Sequence, residues 1–271
     1  MTLTNKTVVI TGGSQGIGAA MADEFAAAGA SVLLVARSED KLAAVAERTG
    51  GRYLVADLLD ADSVDSLVAR CLAELDHIDI WVNNAGIETI DAFAEVDPAT
   101  IRNVARLNFE APLLLTRAVL DHMLPRGSGQ IVNMSSVAGT LSWPGLAAYC
   151  GTKAGLTNFT ETLRIELDGT GVGLTVVAPG PVDTDMWGRL QSEDASYVAP
   201  AMRRFKTLGY LPKLSPEKVA RKVVRAVDAR QPYVRPAKRY LPYHVLNNAP
   251  RRMIRLALTG TRFDPPNAAA G

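Results

Sequence analysis

Thr7-Val8-Val9-Ile10-Thr11-Gly12-Gly13-Ser14-Gln15-Gly16-Ile17-Gly18 is the stretch whose reading decides the fold of this 271-residue chain. Its first five residues are all β-branched and read as a buried strand. Four glycines follow within seven residues, and the apolar spacing of 16–28 then reads as a helix. Glycines alone mark many ordinary turns. Strand before and helix after make a stronger signal, because the backbone can then turn sharply, approach a pyrophosphate and meet its charge with helix N-terminal amides. The expected contacts to such a dinucleotide are Gly12, Ser14, Gln15, Gly16, Ile17 and Gly18.

Working outward, the same alternation recurs. Strands are expected at Ser31–Val35, Arg52–Ala56, Ile78–Val82, Gln130–Met134 and Gly173–Ala178, with helices at about 16–28, 39–48, 61–75, 98–124 and 148–168. Near-continuous apolar strands alternating with amphipathic helices give an α/β fold, a Rossmann-type doubly wound parallel sheet flanked by helices. Neither a repeat nor a Gly/Ser- or Pro-rich linker divides the chain, so residues 1–271 read as one domain. Past Pro179 the pattern loosens, and 186–212 reads as a substrate lid. Ser215 then reads as an N-cap with Pro216 behind it, opening a helix to about Asp228. A short strand near Tyr233–Val234 and an amphipathic segment over 241–258 complete the expected fold.

Composition narrows the class. Apolar residues make up 48% of the chain and charged ones 21%, enough apolar content for a proper core and too much for global disorder. The sequence contains no apolar run of roughly 18 residues, the length a spanning helix needs. Cys71 and Cys150 lie far apart, and three histidines are scattered, which argues against a disulfide scaffold or a metal site. Met1–Lys6 is polar and leads straight into the first strand, which points to a cytoplasmic protein. The formal charge of +1 hides a split. Residues 1–202 hold 13 Lys/Arg and 25 Asp/Glu, while 203–271 hold 16 Lys/Arg and only Glu217, Asp228 and Asp264.

Two further positions carry chemistry. The end of the second expected strand, where a carboxylate would meet a ribose 2′-hydroxyl, reads Val35-Ala36-Arg37-Ser38. Arg37 offers a fork-shaped cation suited to a 2′-phosphate, so NADP(H) is favoured over NAD(H). Glu39 and Asp40 read as first-turn acids behind an N-cap at Ser38. Tyr149 and Lys153 stand four apart on one helix face, and Ser136 lies thirteen residues upstream at a strand end. Strand ends in open α/β sheets face the ligand crevice. A carbonyl that gains hydride must also gain a proton. An ordinary tyrosine, with a pKa of about 10, needs a nearby cation to serve as the acid/base. A serine hydroxyl can hold the substrate oxygen close to it. Taken singly, these side chains would pass for a half-buried aromatic and a solvated lysine.

Thr11–Gly18, Asn83-Asn84-Ala85-Gly86, Ser136, Tyr149-Cys150-Gly151-Thr152-Lys153 and Pro179-Gly180-Pro181-Val182-Asp183-Thr184 occur in this order. Together they resemble the short-chain dehydrogenase/reductase family over residues 5 to about 230. The resemblance implies Ser136, Tyr149 and Lys153 as the catalytic set, with Lys153 also binding the nicotinamide ribose. It implies Asn108 as the helix asparagine whose backbone holds a water in the proton relay. It further implies that Asp57 and Leu58 lie beside the adenine, and that Asn84, Ala85 and Gly86 pass the adenine ribose. Thr184 would contact the nicotinamide carboxamide, with Pro179, Gly180 and Val182 as further cofactor contacts. An Asn-Asn turn also has a purely structural use at a strand end, and the two roles are compatible. The glycine spacing argues against the family's extended epimerase branch, and the Tyr–Lys spacing against its enoyl reductases. The implied activity is a ketone/secondary-alcohol oxidoreductase. The alternative is a non-enzymatic NADP-binding sensor or interaction protein, which would have little reason to keep all three catalytic side chains.

The segments expected to line the substrate pocket offer Val137, Leu141, Trp143, Leu146, Met186 and Trp187, an apolar set that suggests a lipophilic ketone or alcohol. Ser136 and Tyr149 complete that pocket. Arg235–Arg262 is basic, with Lys238, Arg239, Arg251, Arg252 and Arg255 among apolar residues, and 235–271 reads as a basic C-terminal extension. Three uses are open to it: a peripheral membrane contact, a rim attracting an anionic or acyl-carrier-like substrate, or packing on the acidic part of the same or a neighbouring subunit. Nucleic acid is not expected, because no recognition motif accompanies the charge. The family resemblance implies a homodimer or homotetramer through the helices around 98–124 and 148–168.

Overall fold

A computed structural model describes residues 3–189, 197–207 and 214–234. The chain opens with β1 (Thr7–Thr11), α1 (Gly16–Ala27), β2 (Ser31–Ala36), α2 (Glu39–Thr49), β3 (Arg52–Val55), α3 (Ala61–Glu74) and β4 (Ile80–Asn83). It continues with α4 (Pro98–Ala105), α5 (Ala111–Arg126), β5 (Gly129–Met134), α6 (Ala147–Glu166) and β6 (Val172–Val177). It ends with α7 (Asp185–Arg189), α8 (Ala199–Thr207), α9 (Pro216–Asp228) and β7 (Tyr233–Val234).

All pairings in the sheet are parallel, in the order β3-β2-β1-β4-β5-β6-β7. The chain runs outward from β1 to β3, then returns to place β4 on the other side of β1. That reversal opens a crevice beyond the carboxyl ends of β1 and β4. Alternate residues of each strand enter opposite cores. On one face Val8, Ile10 and Leu34 meet Met21 and Phe25 of α1 and Val223 and Val227 of α9. On the other face Val9, Leu33 and Trp81 meet Leu67 of α3 and Leu115 and Met123 of α5. With both faces covered, β4 and β5 are buried at every position, which explains why their sequences do not alternate.

Ser215 caps α9 by accepting from the Lys218 amide at 3.3 Å, with Pro216 in the first turn, as the sequence predicts. Ser38 stands at the N-cap of α2 in an extended conformation but makes no side-chain cap bond; it lines the crevice instead. The expected single helix over 98–124 is interrupted. Residues Arg106–Glu110 form a π-helical turn between α4 and α5. Pro112 supplies the physical reason: with no N–H it cannot close the α-helical bond to the carbonyl of Asn108, four residues earlier. Within the expected lid, α7 and α8 are helical, Tyr197 and Val198 form a turn before α8, and 190–196 and 208–212 lie outside the described residues. The expected segments 241–258 and 235–271 lie outside them too.

A polar chain crosses the buried sheet. Trp81 Nε1 donates to Asn83 Oδ1 at 2.7 Å, and Asn83 Nδ2 donates to Asn133 Oδ1 at 2.8 Å and to Thr116 Oγ1 at 3.1 Å. Asn133 Nδ2 in turn donates to Thr160 Oγ1 at 2.8 Å, so β4, β5, α5 and α6 are tied together through satisfied buried amides.

Candidate active site

The glycine loop is shaped by close backbone approach. Gly12 and Gly16 adopt positive φ, +65° and +56°. A Cβ on Gly18 would lie 2.1 Å from the Gly12 carbonyl oxygen, so no other residue fits there. Asn84 holds the loop from the side. Its Nδ2 donates to the carbonyls of Thr11 (2.9 Å) and Gly12 (3.1 Å), while Thr11 Oγ1 accepts from the amides of Asn84 (2.9 Å) and Ala85 (3.1 Å). The Asn84 side chain is thus committed to structure. α1 begins at Gly16 with no side-chain cap and no acid in its first turn, so its first amides and positive dipole end face the crevice.

The crevice has a volume of about 720 Å³, within the range of small-molecule and cofactor sites. A dinucleotide fits this arrangement, since a glycine cradle and an uncapped helix N-terminus sit where phosphates would lie. Of the residues predicted from sequence, Gly12, Ser14, Gln15, Gly16, Ile17 and Gly18 line it from the loop side. Arg37, Asp57, Leu58, Asn84, Ala85 and Gly86 line it from the strand ends, and Tyr149, Lys153, Pro179 and Thr184 close it. Gly180 and Val182 line an adjoining inner pocket instead. Arg37 Nη1 lies 4.0 Å from Asp57 Oδ2 at the exposed mouth, a pairing that the sequence reading, which took the two residues separately, did not anticipate.

The Lys153 side chain is buried, and its Nζ donates to the Met134 carbonyl at 2.8 Å. Burial pushes its ammonium down to about 8. The same ammonium lies 5.6 Å from the centre of the Tyr149 ring. Burial pushes the Tyr149 phenol up to about 12. A hydrogen bond with Ser136 works against that rise, and the negative charge of Glu88 adds to it. Ser136 Oγ also accepts from the Ala138 amide at 3.1 Å, which fixes the hydroxyl on the turn after β5. Ser135 anchors α6 beneath, donating to the Lys153 carbonyl at 2.9 Å.

Asn108 uses its side chain as a brace. Its Oδ1 accepts from the Ile87 amide at 2.9 Å and its Nδ2 donates to the Ile87 carbonyl at 2.7 Å, with Thr152 Oγ1 3.4 Å away on α6. Its backbone carbonyl lies in the π-helical turn, deprived of the α-helical donor by Pro112. Gly86 is close above this group: a Cβ there would approach Asn108 Oδ1 to 3.0 Å and Lys153 Nζ to 3.5 Å.

The inner pocket is lined by Ser136, Tyr149, Trp143, Val137, Leu146 and Met186, with Glu88 the charged side chain among its described residues. Leu141, expected to line it, does not. The 3₁₀ turn Val137–Gly139 ends with the Thr140 and Leu141 amides both donating to the Val137 carbonyl, which carries Leu141 past the pocket. Leu146, buried against Val198, fills that wall. Trp187 belongs to α7, and its side chain lies outside the described residues. The sequence reading missed Glu88, two residues past Gly86, and Pro112; the proline was visible as a helix breaker within a helical pattern. Among the described residues no group of His, Cys, Asp or Glu is arranged to hold a metal, and no helix is long and apolar enough to cross a membrane.

The sequence model of the short chain dehydrogenase family matches residues 6–195. A short chain dehydrogenase of Pseudocercospora fijiensis is 39% identical over 192 residues, covering 68% of this chain and 62% of that protein. The 3-oxoacyl-(acyl-carrier-protein) reductase FabG of Escherichia coli is 34% identical over 200 residues, 73% of this chain and 82% of the relative. Among solved structures, a short-chain dehydrogenase from Streptomyces avermitilis superposes with a TM-score of 0.77 at 29% identity, covering 96% of each chain. A candidate NAD(P)-dependent gluconate 5-dehydrogenase from Beutenbergia cavernae, with NADP bound at low occupancy, gives 0.72 at 33% identity over 82% of this chain and 89% of that one. The chain belongs to the short-chain dehydrogenase family and is an NAD(P)-dependent oxidoreductase acting between CH–OH and C=O.

Proposed function

We propose that this protein interconverts a lipophilic ketone and its secondary alcohol with NADP(H) in preference to NAD(H), using Tyr149 as acid/base. One observation carries the reading: Tyr149 lines both the crevice and the inner pocket, with Ser136 and Lys153 on either side of it. A group standing on the wall between two cavities can serve a reaction across that wall.

When bound, the cofactor supplies or accepts the hydride at the substrate carbon. Ser136 donates a hydrogen bond to the substrate oxygen and holds it beside the phenol. In reduction the Tyr149 O–H proton passes to that oxygen as it gains negative charge; in oxidation the phenolate takes it back. Lys153, held by the Met134 carbonyl, brings its positive charge to the ring and favours the phenolate. The Asn108 carbonyl, lacking its α-helical donor, accepts from a water that returns a proton towards Lys153. Arg37 at the crevice mouth would hold the 2′-phosphate of a bound NADP(H) as a fork-shaped cation. The inner pocket's Val137, Trp143, Leu146 and Met186 favour an apolar substituent on the reacting carbon. The named relatives include a reductase of acyl-carrier-protein thioesters, so activated 3-oxoacyl compounds belong in the same substrate trial.

The test is a panel of apolar ketones, hydroxyketones and 3-oxoacyl thioesters, each assayed with NADPH and with NADH. Turnover of apolar ketones with a lower KM for NADPH is expected. A clear NADH preference overturns the cofactor assignment, and turnover confined to charged sugars overturns the substrate class.

A further inference from the structure

Glu88 neither gives nor takes the proton in the reaction proposed above, yet it stands in the pocket where substrate specificity would be set. The Asn108 brace on both the amide and the carbonyl of Ile87 pins the backbone one residue before it. Thr89, one residue after it, is buried. Glu88 is therefore held between two fixed neighbours, and its side chain lines the inner pocket together with Ser136 and Tyr149. It is close enough for its charge to act on the Tyr149 phenol. Among the described lining side chains Glu88 is the charged one, beside the hydroxyls of Ser136, Tyr149 and Thr184, the indole of Trp143 and otherwise apolar groups.

A carboxylate accepts hydrogen bonds and donates none, and it repels a second anion across a low-dielectric pocket. The arrangement therefore discriminates by attraction and by repulsion at once. We propose that Glu88 is a specificity-determining residue that selects ketones, and the corresponding alcohols, bearing a hydrogen-bond donor beside the reacting carbon, and rejects those bearing an anion there. The donor is a hydroxyl or an ammonium group. This rests on the ketone/alcohol reading above and names the substrate class within it: an apolar body, as the pocket walls require, with one donor next to the carbonyl.

Three aryl ketones of nearly equal size separate the terms: 1-phenyl-1-propanone, with no donor; 2-hydroxy-1-phenylethanone, with a neutral donor; and 2-amino-1-phenylethanone, with a cationic donor. Benzoylformate supplies the anion. In the wild-type protein kcat/KM for at least one donor ketone is expected to exceed that for 1-phenyl-1-propanone by tenfold or more, with benzoylformate the poorest. Hydrogen bonds to charged groups commonly contribute that much. In Glu88→Leu the donor advantage falls at least tenfold and benzoylformate improves. Glu88→Gln, which keeps shape and one acceptor, improves benzoylformate and lowers kcat/KM for the ammonium compound relative to the hydroxyl compound. Identical donor-to-propanone ratios in wild type and both variants overturn the assignment. The same ratios are read without turnover, as calorimetric Kd values for the four ketones on Tyr149→Phe protein and on Tyr149→Phe carrying each Glu88 change. Donor-dependent binding that disappears with Glu88, in a protein that reduces none of the four, upholds the recognition and sinks the ketone reductase reading. Turnover whose ratios are blind to Glu88 does the reverse.

Discussion

Lys153 Nζ donates to the Met134 carbonyl at 2.8 Å, so the end of β5 and the second turn of α6 are joined one helical turn from Tyr149. This bond aims a buried ammonium at the ring, 5.6 Å from its centre, and costs desolvation. Burial lowers the ammonium to about 8 in the folded protein, below the ordinary lysine value of about 10.4 that the unfolded chain would show. Between those two values the unfolded state binds more protons, so this group's contribution to stability rises with pH across that window. Below about pH 8 the penalty is present in full. Lys153→Met is therefore expected to unfold at a higher urea midpoint than wild type at pH 7, and that advantage is expected to shrink between pH 8 and 10. A variant uniformly less stable than wild type would show that the Met134 bond outweighs the desolvation.

Tyr149 titrates in the opposite sense. Raised to about 12 by burial, it stays protonated through neutral pH in the cofactor-free protein, the form required to give a proton to a reduced carbonyl. Alcohol oxidation needs the phenolate and is expected to rise with pH through the alkaline range, while reduction stays flat and then declines. Tyr149→Phe should lose at least ~100-fold in kcat for both directions, with cofactor affinity within a few-fold of wild type. Steady-state pH profiles and fluorescence titration of NADPH check both statements.

Arg37 and Asp57 face each other at 4.0 Å with both side chains exposed, a geometry in which the pair itself contributes little to stability. On the proposed NADP(H) preference, its consequence lies in cofactor choice. Arg37→Ala is expected to raise KM for NADPH by at least ~10-fold and leave NADH within a few-fold, as loss of a charge-assisted bidentate contact should. Asp57→Asn removes the competing carboxylate and is expected to lower KM for NADPH. Equal effects of Arg37→Ala on both cofactors would remove Arg37 from 2′-phosphate recognition.

Pro112 leaves the Asn108 carbonyl without an α-helical donor. Pro112→Ala supplies an N–H, and the π-helical turn is expected to tighten onto Asn108. If that carbonyl serves the proton relay, kcat falls several-fold while KM and cofactor Kd hold, and the solvent isotope effect rises. A purely structural proline would shift thermal stability alone.

The amide chain from Trp81 through Asn83 and Asn133 to Thr160 is fully buried. Asn133→Ala strands partners on β4 and α6 and leaves a cavity, so a loss of about 2–4 kcal/mol in urea unfolding is expected. A loss under about 1 kcal/mol would mean that water takes the place of the amide.

Much of this was readable from local pattern. The β-branched run at Thr7–Thr11, the glycines behind it and the spacing of Ser136, Tyr149 and Lys153 are short-range signals, and short-range sterics alone dictate what a strand end or a glycine at positive φ can be. The same locality let Ser215 and Pro216 announce α9. What pattern could not reach were relationships between residues far apart in sequence. The break at Arg106–Glu110 depends on one missing N–H within an otherwise regular helical period. Leu141 leaves the pocket because of how one turn closes, a matter of backbone geometry rather than of residue type.

The sequence by itself determined the alternation of strands and helices, the glycine loop between the first strand and helix, and the candidate set Ser136, Tyr149 and Lys153, because each of these is written in neighbouring residues. Only the tertiary structure decided that Arg37 meets Asp57, that Lys153 is held by Met134, and that Glu88 enters the same pocket as Tyr149. Those pairings join strands, helices and turns that the chain brings together only by folding. They exist only once burial of the two cores has set the sheet order, and no local propensity encodes that order.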